Sequence, residues 1–105
     1  MSDHVLVYIT AKDLDEAKMI SDTLVSEKLA ACANILSGME SIYIWKGDQM
    51  CDKEVPFFLK TKKSLLQDMI KRVKELHSYD TPCIIALPIL DGNPDYLKWL
   101  DENTK

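Results

Sequence analysis

Apolar side chains fall on both parities of Val5-Leu-Val-Tyr-Ile-Thr10, the pattern of a strand buried on two faces. The period then changes. Leu14, Ala17, Ile20, Leu24 and Val25 recur at helical spacing while Asp15, Lys18, Asp22 and Glu27 take the wet side, which predicts a helix over 14–29. Asp13 is placed as its N-cap, with Glu16 three residues on in the manner of a capping box. Ala30 to Leu36 and Ser41 to Trp45 read as one long strand bent at Gly38, with a hairpin tip at Gly47-Asp48 and a return strand over 50–62. Pro56 cannot donate to a ladder, so its nitrogen is expected to face away from a paired neighbour or to sit at a bulge. Ser64 with Gln67 repeats the capping signal ahead of Leu66, Met69, Ile70, Val73, Leu76 and His77, one face of a second helix ending near Ser78. Residues 82–89 form a fourth strand, again apolar at both parities, and Asn93-Pro94 opens a short terminal helix through Tyr96, Leu97, Trp99 and Leu100. Residues 103–105 are expected to fray.

The order strand, helix, strand, strand, helix, strand predicts a single α+β domain over 1–105. It is a ferredoxin-like βαββαβ sandwich with a long bent β-hairpin and a short C-terminal helix. Both long helices then cover one face of the sheet. The other parity of the strands is apolar as well, so the helix-free face would expose more apolar surface than a monomer usually tolerates. Self-association is the expected remedy, with the long hairpin reaching a neighbouring copy.

Composition narrows the function classes. The chain has 105 residues, 47% hydrophobic and 29% charged, which excludes a disordered or collagen-like chain. A net charge of -4 argues against holding nucleic acid by phosphate neutralisation. The local basic run Lys60, Lys62, Lys63 reads as a strand leaving the core, or as an anion contact. No run of 18 apolar residues occurs, so no membrane insertion is expected. Met1 to His4 is polar and leads straight into the first strand, without the features of a leader. Three cysteines, Cys32, Cys51 and Cys83, lack a C-x-x-C pair and suit a reducing compartment. A cytoplasmic location is therefore expected.

Six segments taken together, Glu27-Lys-Leu-Ala-Ala-Cys-Ala-Asn-Ile35, Ser41-Ile-Tyr-Ile-Trp-Lys-Gly47, Leu59-Lys-Thr61, His77-Ser-Tyr79, Ala86-Leu-Pro88 and Gly92-Asn-Pro-Asp-Tyr-Leu-Lys-Trp-Leu100, resemble the CutA divalent-cation tolerance family. The resemblance runs from Val5 to Leu100. It implies a tight homotrimer, similar to PII signalling proteins, with copper or another divalent cation as associated ion and no organic cofactor. It also implies that Cys32 occupies the position linked with copper, and that Trp45, Glu54, Lys60, His77, Tyr79 and Tyr96 gather near subunit boundaries. The family's His-Pro-Tyr-x-x-Pro-Glu pattern reads here His77-Ser-Tyr-Asp-Thr-Pro-Cys83. A thiol stands where that pattern has a carboxylate.

Thiolate and imidazole suit copper and zinc, which makes Cys32, Cys51, Cys83, His4 and His77 the candidate ligands. With Ile44 opposite Cys51 across the hairpin, Cys32 is too distant to share an ion with Cys51 in one chain. The metal set is thus Cys32, Cys83 and His77, built between subunits or from Cys83 with His77. Each cysteine alone also suits a small buried hydrophobe, and His77 suits a helix end. No nucleophile elbow, phosphate-cradling loop or H-E-x-x-H helix is present, so no enzyme is expected. The leading reading is a metal-associated trimer. The alternative is a PII-like sensor of an anionic effector, held by Lys60 and His77 in intersubunit clefts lined by Trp45, Glu54, Tyr79 and Tyr96.

Overall fold

The computed structural model describes residues 3–105; Met1 and Ser2, the start of the polar opening stretch, lie outside them. The elements run β1 (His4–Ala11), α1 (Leu14–Ser26), β2 (Cys32–Ile35), β3 (Met39–Trp45), β4 (Asp48–Lys62), α2 (Leu66–Leu76), β5 (Ile84–Pro88) and α3 (Pro94–Glu102), with a 3-10 turn Lys63–Leu65 before α2. The sheet is antiparallel in the order β2-β4-β1-β5, and β3 pairs with the first half of β4. This is the ferredoxin-like α+β arrangement. β4 is its spine: 15 residues long, it carries the hairpin at one end and the centre of the sheet at the other.

Register explains the core. Val5, Val7 and Ile9 stand opposite Thr61, Leu59 and Phe57, and Leu59 and Phe57 stand opposite Ala33 and Ile35. This parity packs against Ala17, Ile20 and Leu24 of α1 and Met69 and Val73 of α2 in one buried cluster. The other parity, Leu6, Tyr8, Phe58 and Lys60, faces away from both helices. α3 crosses to that second face, where Tyr96 meets Lys60 and Cys32. It covers only part: Ile85 and Leu87 stay 54% and 50% exposed.

Four local expectations are corrected. The first concerns the bend at Gly38, which divides two strands, since residues 36–38 leave the ladder between Ile35↔Phe57 and Met39↔Glu54. Pro56 faces this gap, its carbonyl accepting from the Leu36 N–H, so the missing donor leaves no partner wanting. The hairpin turns one residue earlier than expected, at Lys46-Gly47. Both residues carry positive φ, 51° and 87°, as a two-residue type I′ turn requires. Trp45 then pairs with Asp48 and Ile42, not Ile44, with Cys51. Ser64 caps nothing, because α2 begins through the 3-10 turn with no side-chain cap. The C-terminal residues are held: Thr104 is buried and donates to Leu100 O, Lys105 N–H donates to Lys28 O, and Lys62 Nζ donates to Lys105 O.

At α1 the sequence signal holds. Asp13 Oδ1 accepts from Glu16 N at 2.8 Å, while the Glu16 carboxylate reaches back to Lys12 N at 3.2 Å. Asp13→Ala is expected to cost about 1 kcal/mol of unfolding free energy in a urea titration. A loss below about 0.3 kcal/mol would show that the cap is idle.

Candidate functional site

The helix-free face folds into a cavity of about 520 Å³ where the β3–β4 hairpin leaves the sheet. Alternation builds its walls. Met39, Ser41, Tyr43 and Trp45 come from one side of β3, Tyr8 and Thr10 from the matching parity of β1, and Tyr79 and Cys83 from the loop between α2 and β5. Glu54, opposite Met39 in the ladder, joins them.

Glu54 is 9% exposed, and its Oε2 accepts from the Tyr79 hydroxyl at 2.9 Å. No salt bridge reaches it among the described residues. Burial, then the hydrogen bond to Glu54 and its charge, push the Tyr79 phenol far above its ordinary range. Burial and the same carboxylate raise the Cys83 thiol, and burial, Cys83 and Glu54 raise Tyr8. The cleft thus holds two acidic side chains, Glu54 and, on the loop side, Asp80, among hydroxyl and thiol groups that keep their protons. Tyr43 donates to Asp52 Oδ2 at the hairpin side.

Tyr79 owes its place to His77. The ring Nε2 lies 2.7 Å from Thr10 O, and the ring Nδ1 accepts from Tyr79 N at 3.1 Å. A carbonyl only accepts and an amide N–H only donates, so Nε2 carries the proton and Nδ1 the lone pair. Both ring nitrogens are spent, and the side chain is fully buried. Glu16 completes the arrangement, with Oε2 accepting from Ser78 N at 3.0 Å and Oε1 3.9 Å from His77 Nδ1.

Within one chain, the residues expected at intersubunit clefts and the two candidate thiols fall into two groups. Trp45, Glu54, Tyr79 and Cys83 line the cavity. Lys60, Tyr96 and Cys32 form a second cluster: Lys60 Nζ donates to Tyr96 OH at 3.3 Å and sits 5.3 Å from that ring's centre, and Cys32 Sγ lies 3.4 Å from the same hydroxyl. Burial works against the Lys60 ammonium, but Tyr96 and Cys32 outweigh it and hold its proton above the usual lysine range. Six residues of β4, about 20 Å, separate Lys60 from Glu54. The Phe58 ring, 5.3 Å from that of Tyr8, stands between the two groups.

Within one chain the donors do not fit a divalent-ion centre. No three His, Cys, Asp or Glu side chains among the described residues come together to hold an ion. His77 has no lone pair to give, Cys32 lies beside a lysine, Cys83 keeps its proton, and Cys51 is exposed on the hairpin. His4 is 2.8 Å from Asp101, at the start of β1. An ion needs thiolate or neutral imidazole with a free lone pair.

Tyr8, Tyr43, Met39 and Ser41 were not marked as site residues by sequence reasoning. The three on β3 share with Trp45 the two-residue period 39, 41, 43 and 45, which puts them on one face once the hairpin is known.

The profile of the family described as CutA1 divalent ion tolerance protein matches residues 5–103. The divalent-cation tolerance protein CutA of Thermus thermophilus is 46% identical over 99 residues, 94% of this chain and 96% of that protein. The chloroplastic protein CutA 1 of Oryza sativa is 44% identical over 101 residues, 96% of this chain, which spans 57% of the rice protein's length. The solved structure of the periplasmic divalent cation tolerance protein CutA from Archaeoglobus fulgidus superposes with a TM-score of 0.94 at 39% identity, covering 97% of this chain and 99% of that one. These relatives correct the expected cytoplasmic location. The same domain occurs in a chloroplastic and a periplasmic protein.

Proposed function

The chain belongs to the CutA1 divalent ion tolerance family, and on that footing we propose that it acts as a homotrimeric cation-binding protein. In this reading the copies cover one another's helix-free sheet faces, and the Glu54 cleft is the binding site. The observation that carries it is a carboxylate nine-tenths withdrawn from water with no cation beside it among the described residues, a costly state unless a positive ligand completes it. A copper centre inside one chain is not part of this reading. An ion taken by Cys32 or Cys83 would need donors from a second copy. The anionic-effector alternative is not the favoured reading, because both ring nitrogens of His77 are engaged within the chain and the cleft carries Glu54 and Asp80. The family is named for tolerance of divalent ions, not for a reaction, and no turnover is proposed.

Light scattering with metal analysis of the purified protein tests the assembly. Three times the 12.0 kDa chain mass is expected, and Ile85→Asp with Leu87→Asp should reduce it to a single chain by burying charge in an apolar contact. A parent protein that is itself a 12.0 kDa particle in dilute buffer would refute the trimer. Titration of Cu(II) and Zn(II) into the parent, Glu54→Gln, and Cys32→Ala with Cys83→Ala assigns the site. Binding lost in the first variant supports the cleft, and binding lost only with the thiols moves the site to the cysteines.

A further inference from the structure

The donor set that fails for a metal ion suits another kind of cation. Zinc asks for four ligands with free lone pairs, and hard divalent ions ask for six or more oxygens. The Glu54 cleft offers two acidic side chains, Glu54 and Asp80, with aromatic rings and neutral hydroxyls, and no three metal-ligating side chains gather there among the described residues. Its volume, about 520 Å³, lies in the range of small organic ligand sites, ~300–1,000 Å³. An alkylated ammonium ion needs no lone-pair ligand. It needs a counter-charge and polarisable ring faces.

From this we infer that the Glu54 cleft takes a small alkylated ammonium ion, its charge set against the Glu54 carboxylate and its alkyl shell against Tyr8, Tyr43, Trp45 and Tyr79. The inference rests on the cation-binding reading of the same cleft and names its ligand class. The chain supplies a precedent, because the Lys46 ammonium already lies 5.8 Å from the centre of the Trp45 ring. Glu54 has further acceptor capacity as well, since the Tyr79 hydroxyl engages one of its oxygens and a carboxylate offers about four lone-pair sites.

The test is a titration of the full chain with tetramethylammonium chloride at constant ionic strength, followed by amide and indole NMR shifts. The neutral tert-butanol and Zn(II) are run in parallel. Saturable shifts at Trp45 and Tyr79 are expected with tetramethylammonium alone, and Glu54→Gln should weaken binding by about tenfold or more. Where Glu54→Gln melts early, Trp45→Leu serves as the second variant with the same expectation. Shifts that do not saturate, that tert-butanol reproduces, or that survive both substitutions overturn the inference. If Zn(II) binds in a Glu54-dependent way and tetramethylammonium does not, the ammonium assignment falls and the cation cleft stands. If neither binds, both fall.

Discussion

Phe57→Ala is expected to remove about 3–5 kcal/mol of stability, a large share of the ~5–15 kcal/mol that holds a domain together. Phe57 is fully buried and sits where β4 is flanked on both sides, by Ile9 of β1 and Ile35 of β2, beneath α1 and α2. No neighbour can move in to fill the void without breaking a ladder. Urea unfolding at fixed chain concentration should show a lower midpoint with an unchanged slope. Phe58→Ala is the control, because that ring lies on the helix-free face beside Tyr8 and is only half-buried. A loss below about 1 kcal/mol from Phe57→Ala would mean that this ring does not fill the space between sheet and helices.

Parity made those faces legible in the sequence. The alternation of β1 and β4 separates the face that packs on the helices from the one that does not, and helical spacing of Ala17, Ile20, Leu24, Met69 and Val73 picks out the residues that fill the core. Local backbone choices were harder to read. Gly47-Asp48 looked like the tip because glycine favours left-handed φ, yet Lys46 adopts it too, at 51°, and the register moves with it. Ser64 followed by Gln67 matches a capping box in composition, but the chain leaving β4 enters α2 through a 3-10 turn that makes no use of the hydroxyl. The C-terminal residues looked loose since their partners, Lys28 and Lys62, lie 77 and 43 positions away in the chain.

For the candidate site the same limit applies more strongly. Lys60 and Glu54 occupy one face of one strand, so a list of polar residues joins them. Their spacing on the strand, about 20 Å, is readable from the sequence, but which neighbours surround each of them, Tyr79 and Cys83 at one and Tyr96 and Cys32 at the other, appears only in three dimensions. His77 looked like a ligand because an imidazole beside a cysteine often is one. Its two nitrogens are instead claimed by Thr10 O and Tyr79 N, partners that are backbone groups and so leave no mark in the residue pattern.

That use of His77 makes it the second most sensitive position. His77→Ala is expected to cost about 3 kcal/mol, since it strands a buried carbonyl at Thr10 and an amide at Tyr79, and to loosen Tyr79 from Glu54. Glu16 ties the same loop to α1 and gives the region a pH dependence of known sign. Burial alone would raise its carboxyl, but hydrogen bonds from Ser78 and Lys12 outweigh that and hold it below the ordinary range. A depressed native value means that the unfolded chain takes up the proton more readily. The stabilisation is therefore complete above the unfolded carboxyl's value, ~4.3, and disappears as pH falls through the lower native one. Glu16→Gln should lose about 1.5–3 kcal/mol at pH 7 and differ less and less from the parent below about pH 4. Urea midpoints for the two proteins across that range measure it, and parallel curves down to the acid limit would show that Glu16 is not the group that titrates.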